Sequence, residues 1–529
     1  MATTMINARI YTGVADRPWA SSMTWNAGLI VSVDQSPGSH DEVIDGGGRL
    51  ITPAFGDGHA HPMFAGFEFL GPTLRGKSTL EQVLSSVAEF AEKNSEVPWI
   101  IGGSYESWMV PNGEFDARWL DEIVSDRPVV LHASDYHTVW CNTAALNIAG
   151  ITAETPDPEL GWIVRRADGS PMGTLREWDA VALVLDHAPE RPLEERVRAL
   201  ELASAEFARN GTTWVQDAWV DPGMETAYFH AGRTGKLGVR FNLALRADAR
   251  AWRNQLDWFT TARAQASGIP NVTVNTIKFF ADGVIEGRTA AVRGGYHDDP
   301  HNQGMPCWDW DELRECVAAI DALGFQAHIH AIGDEGLHEA LNAIEFAQKT
   351  NSAASHPRPV ITHVQLLDPA DLPRFSQLGI VANFEPLWAC NDPLQSELTA
   401  PAVGSVREMW QYPMKTLLKS GANISMGSDW PVTEQSPIQC LHVAVNRTVP
   451  GDPERAPWNP AECLTVVEAV DAYTQGNAFQ AGEEQARGTL EPGKEADFVV
   501  LDRDIFSLAA REINTANVVE TWRSGVRIF

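Results

Sequence analysis

No stretch of the chain strings together the roughly 18 apolar residues that a membrane-spanning helix requires. Its start, MATTMINARIYTG, has neither a basic n-region nor an apolar h-region, so no secretory leader is expected and the cytoplasm is the expected compartment. Cysteine is scarce. Six are scattered (Cys141, Cys307, Cys316, Cys390, Cys440, Cys463) and none is paired as C-x-x-C, which argues for reduced thiols and against a disulfide frame or a zinc–thiolate site. Positive charge is also in deficit: 40 basic against 70 acidic residues give a formal charge of −30. Such a polyanion is a poor ligand for nucleic acid or anionic membrane, so neither is expected as a partner, and a small-molecule substrate is. The acids are spread along the chain, which reads as a device for solubility rather than an acidic tail. Nothing resembles a nucleophile elbow, and the Gly-rich Arg293-Gly-Gly-Tyr296 lacks the lysine and spacing of a phosphate loop.

What the chain does contain is the stretch Pro53-Ala-Phe-Gly-Asp-Gly-His-Ala-His-Pro62, with His59 and His61 two residues apart. In an extended strand, residues two apart share a face, so this pair aims two imidazoles at one point. Neutral imidazole is the commonest protein ligand for a metal. Four further segments have one form, a short apolar run ending in a polar residue able to ligate. They are Val272–Gly283 with Lys278, Gly324–Asp334 with His330, Pro359–Gln365 with His363, and Asn423–Pro431 with Asp429. Each has a bland reading in isolation, as a hydrogen-bonded core histidine or a turn aspartate. Together, in this order, they point to a metal site.

Between these segments, apolar periodicity alternates strand and helix. Gly211–Ala218, Gly238–Leu245 and Ile380–Pro386 supply the remaining strand candidates, and Leu313, Cys316, Val317, Ile320 and Leu323 mark a helix that stops at Gly324. Counting from the HxH strand gives eight strands, the pattern of a (β/α)8 barrel. Both chain ends read as short β segments: Met5–Tyr11, Gly28–Val33 and Glu42–Ile44 at one, Ala496–Leu501, Val518–Thr521 and Val526–Phe529 at the other. Between the first two barrel strands lies a long insertion, from about Thr73 to Asn210. It opens with a helix (Leu80, Val83, Leu84, Val87, Phe90) and later carries a hairpin around Asp168-Gly169. An excursion of this length at a barrel mouth is expected to cover a site.

The order HxH, Lys, His, His, Asp resembles that of the amidohydrolase superfamily. The motifs FADG, HAIGD, GSDWP and the tail GTLEPGKEADFVVLD resemble, more closely, the YtcJ-like amidohydrolases, the group that includes N-substituted formamide deformylase. The resemblance runs over nearly the whole chain. It implies that the two β ends pair into one small sandwich (1–55 with 485–529), flanking a hydrolase barrel over 56–484 that carries 73–210 as a lid. It also implies two divalent metal ions, zinc being expected. His59 and His61 would hold one with Asp429, and His330 and His363 the other. His328 lies on the same strand face as His330, one pleat deeper, and stands as an alternative ligand or a structural neighbour. In the insertion the resemblance covers His137 and Asn142 as residues near substrate, although Tyr136 stands where relatives commonly have glycine.

Lys278 alternates with Thr276 and Phe280, which places it on the inward face among apolar neighbours. Burial lowers a lysine's pKa toward the neutral amine, and a neutral amine can add CO₂ to form a carbamate whose two oxygens bridge two metals. Binuclear members of the resembled family use such a lysine; the alternative is an unmodified lysine paired with Asp282 or Asp217. Two cations about 3.5–4 Å apart would turn a bridging water into hydroxide and polarise a carbonyl. Asp429 would then accept the water's proton and pass it to a leaving nitrogen. The expected reaction is hydrolysis of a non-peptide, amide-type C–N bond. Nineteen tryptophans, among them Trp219 and Trp388 near strand ends, suggest a pocket for bulky or aromatic substrates. Asp282 in FADG and Glu385, where relatives often have glutamine, are further candidates for touching substrate. Two other readings stay open: a mononuclear deaminase or lyase of the same superfamily, and a non-catalytic regulator on the same fold. A homodimer is also left open.

Overall fold

The computed structural model describes residues 2–351, 357–452 and 454–529. Eight parallel strands form one sheet, each hydrogen-bonded to the next in chain order. We number them β1 (Phe55–Ala60), β2 (Thr212–Val220), β3 (Arg240–Arg246), β4 (Val272–Phe280), β5 (Gln326–Ala331), β6 (Val360–His363), β7 (Val381–Phe384) and β8 (Asn423–Met426). All eight coincide with the strands expected from apolar runs. Past the end of β8, the amides of Ser428 and Asp429 donate to the His59 carbonyl at 3.2 and 2.7 Å, which draws the last strand onto the first. Helices follow the strands, among them Glu225–Arg233, Trp252–Ala266, Trp310–Ala322, Asp334–Thr350 and Pro437–Asn446. This is the (β/α)8 barrel, and because every neighbouring pair of strands is parallel, all strand C-termini lie at one end.

The helix after β4 shows how local sequence sets the boundaries. Asp309 accepts N–H bonds from Asp311 and Glu312 at its start, and Gly324, at φ 72°, lets the chain leave its end. Its buried face is Leu313, Cys316, Val317 and Ile320, as the periodicity requires.

The chain ends build two further sheets. One, in the order Leu29–Val33, Met23–Asn26, Thr3–Ile6, Glu42–Asp45, is wholly N-terminal. The other mixes both ends, with Phe498–Leu501 antiparallel to Leu50–Pro53 in the register Val499 opposite Thr52. Their shared core includes Met5, Ile10, Trp25, Ile51, Phe498 and Val500. The expected single strand over Met5–Tyr11 is two strands, because Asn7 takes a left-handed φ of 50° and redirects the chain from one sheet to the other.

The chain divides into two compact units. Sandwich and barrel fall together in one, comprising Met1–His61, Ser204–Asp429 and Glu434–Phe529. The other is the insertion, Pro62–Ala203 with Trp430–Thr433. The insertion has its own five-stranded sheet and its own core, in which Tyr105, Phe115 and Trp140 pack against one another around Val87, Ile100 and Leu131. The expected hairpin is present as Trp162–Arg165 against Pro171–Arg176. Among the described residues, no helix is long and apolar enough to cross a membrane.

Candidate metal centre

The seam between β1 and β8 brings three of the expected ligands together. His59 and His61 leave β1 on one face, two residues apart, and Asp429 follows β8 at a left-handed φ of 54°, which turns its carboxylate back toward them. Asp429 Oδ1 lies 2.8 Å from His61 Nε2 and 3.3 Å from His59 Nε2. Ligand atoms of the three all lie within 4.8 Å of one another, and among the described residues no other group of His, Cys, Asp and Glu closes to that distance. Asp57, on the same strand face, staples the seam. It accepts the amides of His59 and Ser428 at 3.2 and 3.1 Å and the Ser428 hydroxyl at 2.6 Å.

Electrostatics favours a cation at this point. Burial, reinforced by Lys278, pushes both His59 and His61 below the usual imidazole range, so both rings are neutral at pH 7. Burial pushes Asp429 upward, yet its close contact with His61 and the neighbouring basic groups His363 and Lys278 outweigh it and hold the carboxyl below its usual value. A buried carboxylate facing two neutral imidazole nitrogens is a donor set of N, N and O, the chemistry of a zinc-type site. The residues therefore fit a divalent ion.

Lys278 projects from β4 into the same space and is fully buried. Its Nζ is 3.5 Å from His59 Nε2 and 4.5 Å from the centre of the Phe280 ring. Burial pushes its pKa down to about 7, against the pull of Asp429, Glu385 and Asp217. Both candidate partners of an unmodified lysine are engaged elsewhere. Asp217 accepts the Tyr228 hydroxyl and the Trp219 amide, and Asp282 accepts the amides of Ala291, Ile332 and Gly333 at 2.8, 3.0 and 2.8 Å. Lys278 is thus a buried amine with a large neutral fraction at pH 7, and the neutral form is the one that reacts with CO₂.

Across the barrel, His330 at the end of β5 and His363 at the end of β6 stack edge to face, ring centres 4.6 Å apart, and the His363 ring is 4.8 Å from that of His59. Each is tied by one ring nitrogen to a protein oxygen. His330 Nε2 sits 3.2 Å from the Gly283 carbonyl, and His363 Nδ1 2.8 Å from Glu385 Oε2. His328 is placed as strand parity requires, one pleat deeper, with Nε2 2.7 Å from His59 Nδ1 and the two rings stacked. It holds the ring plane of His59, the support a ligand histidine ordinarily has. Aromatic rings flank the histidines: Trp219 beside His61, Phe280 beside His330 and Trp388 parallel to His363.

Not every expected substrate contact looks toward such a space. Asp282 is fully buried, its three backbone N–H bonds hold the turn after β5, and its Oδ1 lies 3.8 Å from His330 Nε2. Glu385 points at His363. In the insertion, Asn142 caps the helix Thr143–Ile148 and spends both amide hydrogens on the carbonyls of Val124 and Arg127. Its oxygen accepts from Val129 and Ala145, so all its bonding is to the unit's own backbone. His137 pairs through Nδ1 with Glu177 Oε2 at 2.8 Å and packs on Trp178. Tyr136, where glycine is usual, adopts φ 58° like a glycine and compensates by donating its hydroxyl to Glu68 at 2.7 Å. Asp57 was not among the expected residues, although it shares the parity of His59 and His61 and that signal could have found it.

The family model described as "Amidohydrolase family" matches residues 42–529. The chain is 30% identical to Protein LONG AFTER FAR-RED 3 of Arabidopsis thaliana over 99% of this chain and 91% of that one. It is 26% identical to N-substituted formamide deformylase of Arthrobacter pascens, over 99% and 97% respectively. Among solved structures, an uncharacterized metal-dependent hydrolase from Pyrococcus horikoshii superposes with a TM-score of 0.77 at 24% identity, covering 96% of this chain and 99% of that one.

Proposed function

The chain belongs to the amidohydrolase family, and from that premise we propose that it is a metal-dependent hydrolase cleaving a non-peptide, amide-type C–N bond in a small substrate with a bulky or aromatic group. The observation that carries this reading is the convergence of His59, His61 and Asp429 around one point with the amine of Lys278 beside it. His59, His61 and Asp429 would hold one divalent ion, and His330 and His363 a second. Lys278 would bridge them as a carbamate, its nitrogen adding to the carbon of CO₂ with release of one proton. Bound there, the ions supply Lewis acidity and a water of lowered pKa.

The protein's own groups account for the proton movements. Asp429 Oδ1 is held ionised beside His61, so it can accept a proton from the attacking water as the water oxygen bonds to the substrate carbonyl carbon. The same oxygen then delivers that proton to the nitrogen as the C–N bond breaks, leaving an acid and a free amine. Trp219, Phe280 and Trp388 stand beside three of the histidines and offer apolar, π-rich walls to an aryl or aralkyl group.

Metal analysis of protein purified without chelator, run with a hydrolysis screen of N-formyl and N-acyl amines, tests the reading. N-substituted formamides come first in that screen, because a relative is named for them. Close to two divalent ions per chain and chelator-sensitive release of amine are expected; protein without bound metal and without turnover would sink the proposal. One observation favours a second reading, a mononuclear deaminase or lyase: among the described residues, only the His59–His61–Asp429 corner brings three such donors within 4.8 Å of one another. A metal count of one per chain would select it.

A further inference from the structure

Glu385 stands just past β7 with 1% of its surface exposed, and both of its oxygens are turned to protein donors. Oε2 is 2.8 Å from His363 Nδ1, and Oε1 is 3.1 Å from the Thr362 hydroxyl. Burial raises the Glu385 carboxyl and its contact with His363 opposes this, so one proton is shared across the 2.8 Å between Oε2 and Nδ1; with that proton on Nδ1 the ring's other nitrogen, Nε2, keeps its lone pair. Trp388 fixes the same ring from its face, parallel to within 4° at a centre distance of 5.0 Å. Edge and face together leave the imidazole one orientation.

We infer that Glu385 is a positioning residue for His363, setting its Nδ1–H tautomer and ring plane so that Nε2 is presented as the donor to a metal, and that it does not recognise substrate. The inference rests on the reading of His363 as a metal ligand given above. A carboxylate does more in this place than an amide could, because its charge raises the basicity of the ring it holds.

Glu385 is anchored in turn by a chain of buried polar side chains inside the barrel. The single hydrogen of the Thr362 hydroxyl is shared between Glu385 Oε1 and Asn383 Oδ1, the latter 3.0 Å away; Asn383 Nδ2 donates to Ser425 Oγ at 2.9 Å, and Ser425 Oγ donates to Gln480 Oε1 at 2.5 Å. Gln480 Nε2 closes the chain on the Gly58 carbonyl at 2.7 Å, one residue before His59. A Cβ on Gly58 would lie 2.5 Å from Asn383 Nδ2 and 2.7 Å from Gln480 Oε1, so any larger residue would force these side chains to shift. One network therefore sets both the strand that carries His59 and the carboxylate that holds His363.

The test uses the full-length protein stripped of metal. Zinc is titrated in competition with a chromophoric chelator for wild type, Glu385→Gln and Glu385→Ala. In parallel, ¹⁵N-histidine spectra of the metal-free proteins, assigned with His363→Gln, report the tautomer of His363. The expected result is an Nδ1–H tautomer in wild type, a mixture in Glu385→Ala, and zinc affinity at the weaker site reduced about 10–100-fold in Ala and less in Gln. Should Glu385→Ala fail to fold, Glu385→Gln decides alone: a several-fold loss of zinc affinity supports the inference and unchanged affinity overturns it. An Nε2–H tautomer in wild type overturns it, as does an unchanged tautomer in a folded Ala variant whose KM for amine-bearing substrates rises. If wild type binds no zinc, the proposed function falls, while the tautomer spectra still decide the role of Glu385.

Discussion

At the β1/β8 seam, His59, His61 and Asp429 face one another directly, with Asp57 clamping the backbones beneath them. On the opposite side, His330 and His363 are each held from behind, one by a carbonyl and one by a carboxylate. Among the described residues, no third acidic, thiol or histidine donor closes on that pair within the distance the seam achieves. The first corner is assembled by the closure of the barrel itself. The second is assembled by partners that fix each ring separately, and the Lys278 amine lies on the seam side, 3.5 Å from His59 Nε2. The difference teaches that one three-donor corner is built into the fold, whereas under the proposed two-metal reading the place of a second ion would depend on the state of a single lysine.

The strongest way to break this comparison is Asp429→Asn, which keeps the size of the seam ligand but cannot accept a proton at neutral pH. It should lower kcat on a simple alkylamide by more than about 10⁴-fold, because proton transfer and metal affinity both suffer. Near-normal kcat in a folded, metallated variant would remove Asp429 from the chemistry. The next largest effect is expected from Lys278→Met. Elemental analysis should show metal falling from about two ions per chain toward one, with the seam corner still loaded; retention of both would show that the second corner needs no bridge.

Stability experiments sharpen the contrast. Gly58→Ala presses a methyl group into the network that joins the corners, and overpacking of this kind costs about 1–3 kcal/mol in urea unfolding. Lys278 gives the metal-free protein a pH signature. Its pKa falls from 10.5 to about 7 on folding, so between those values the unfolded chain binds one more proton and stability rises with pH. The slope should be about 1.4 kcal/mol per pH unit relative to Lys278→Met, measured between the two values, and parallel curves would show that the amine is not buried neutral. The smallest effect lies outside both corners. Asn142→Ala should destabilise the insertion by about 0.5–2 kcal/mol through loss of its helix cap, leaving KM unchanged; a raised KM would restore Asn142 as a substrate contact.

Much of this was legible in the chain. Each barrel strand is an apolar run, and each expected ligand is the polar residue at or near its end, so order and strand number followed from period-two alternation and helix periodicity. Parity also placed His328 correctly beneath the site. Glu385 was not legible in the same way. Its position after β7 marked it as close to the site, but whether its carboxylate turns to substrate or to His363 depends on the neighbouring strand, where Thr362 and His363 supply the donors. Asn142 was not legible for a related reason, since a capping asparagine and a ligand-binding one look identical until the helix behind it is seen.

The sequence by itself determined the fold class, the order of the candidate ligands and their chemical types, because strand and helix are local and their periods are written in neighbouring residues. The tertiary structure decided which donors meet. Asp57 grips Ser428, and Gln480 grips Gly58, across 371 and 422 residues of chain. Such pairs have no local signature; they exist only because the barrel brings its last strand back beside its first, and hydrogen-bond geometry then admits few arrangements of the side chains trapped inside.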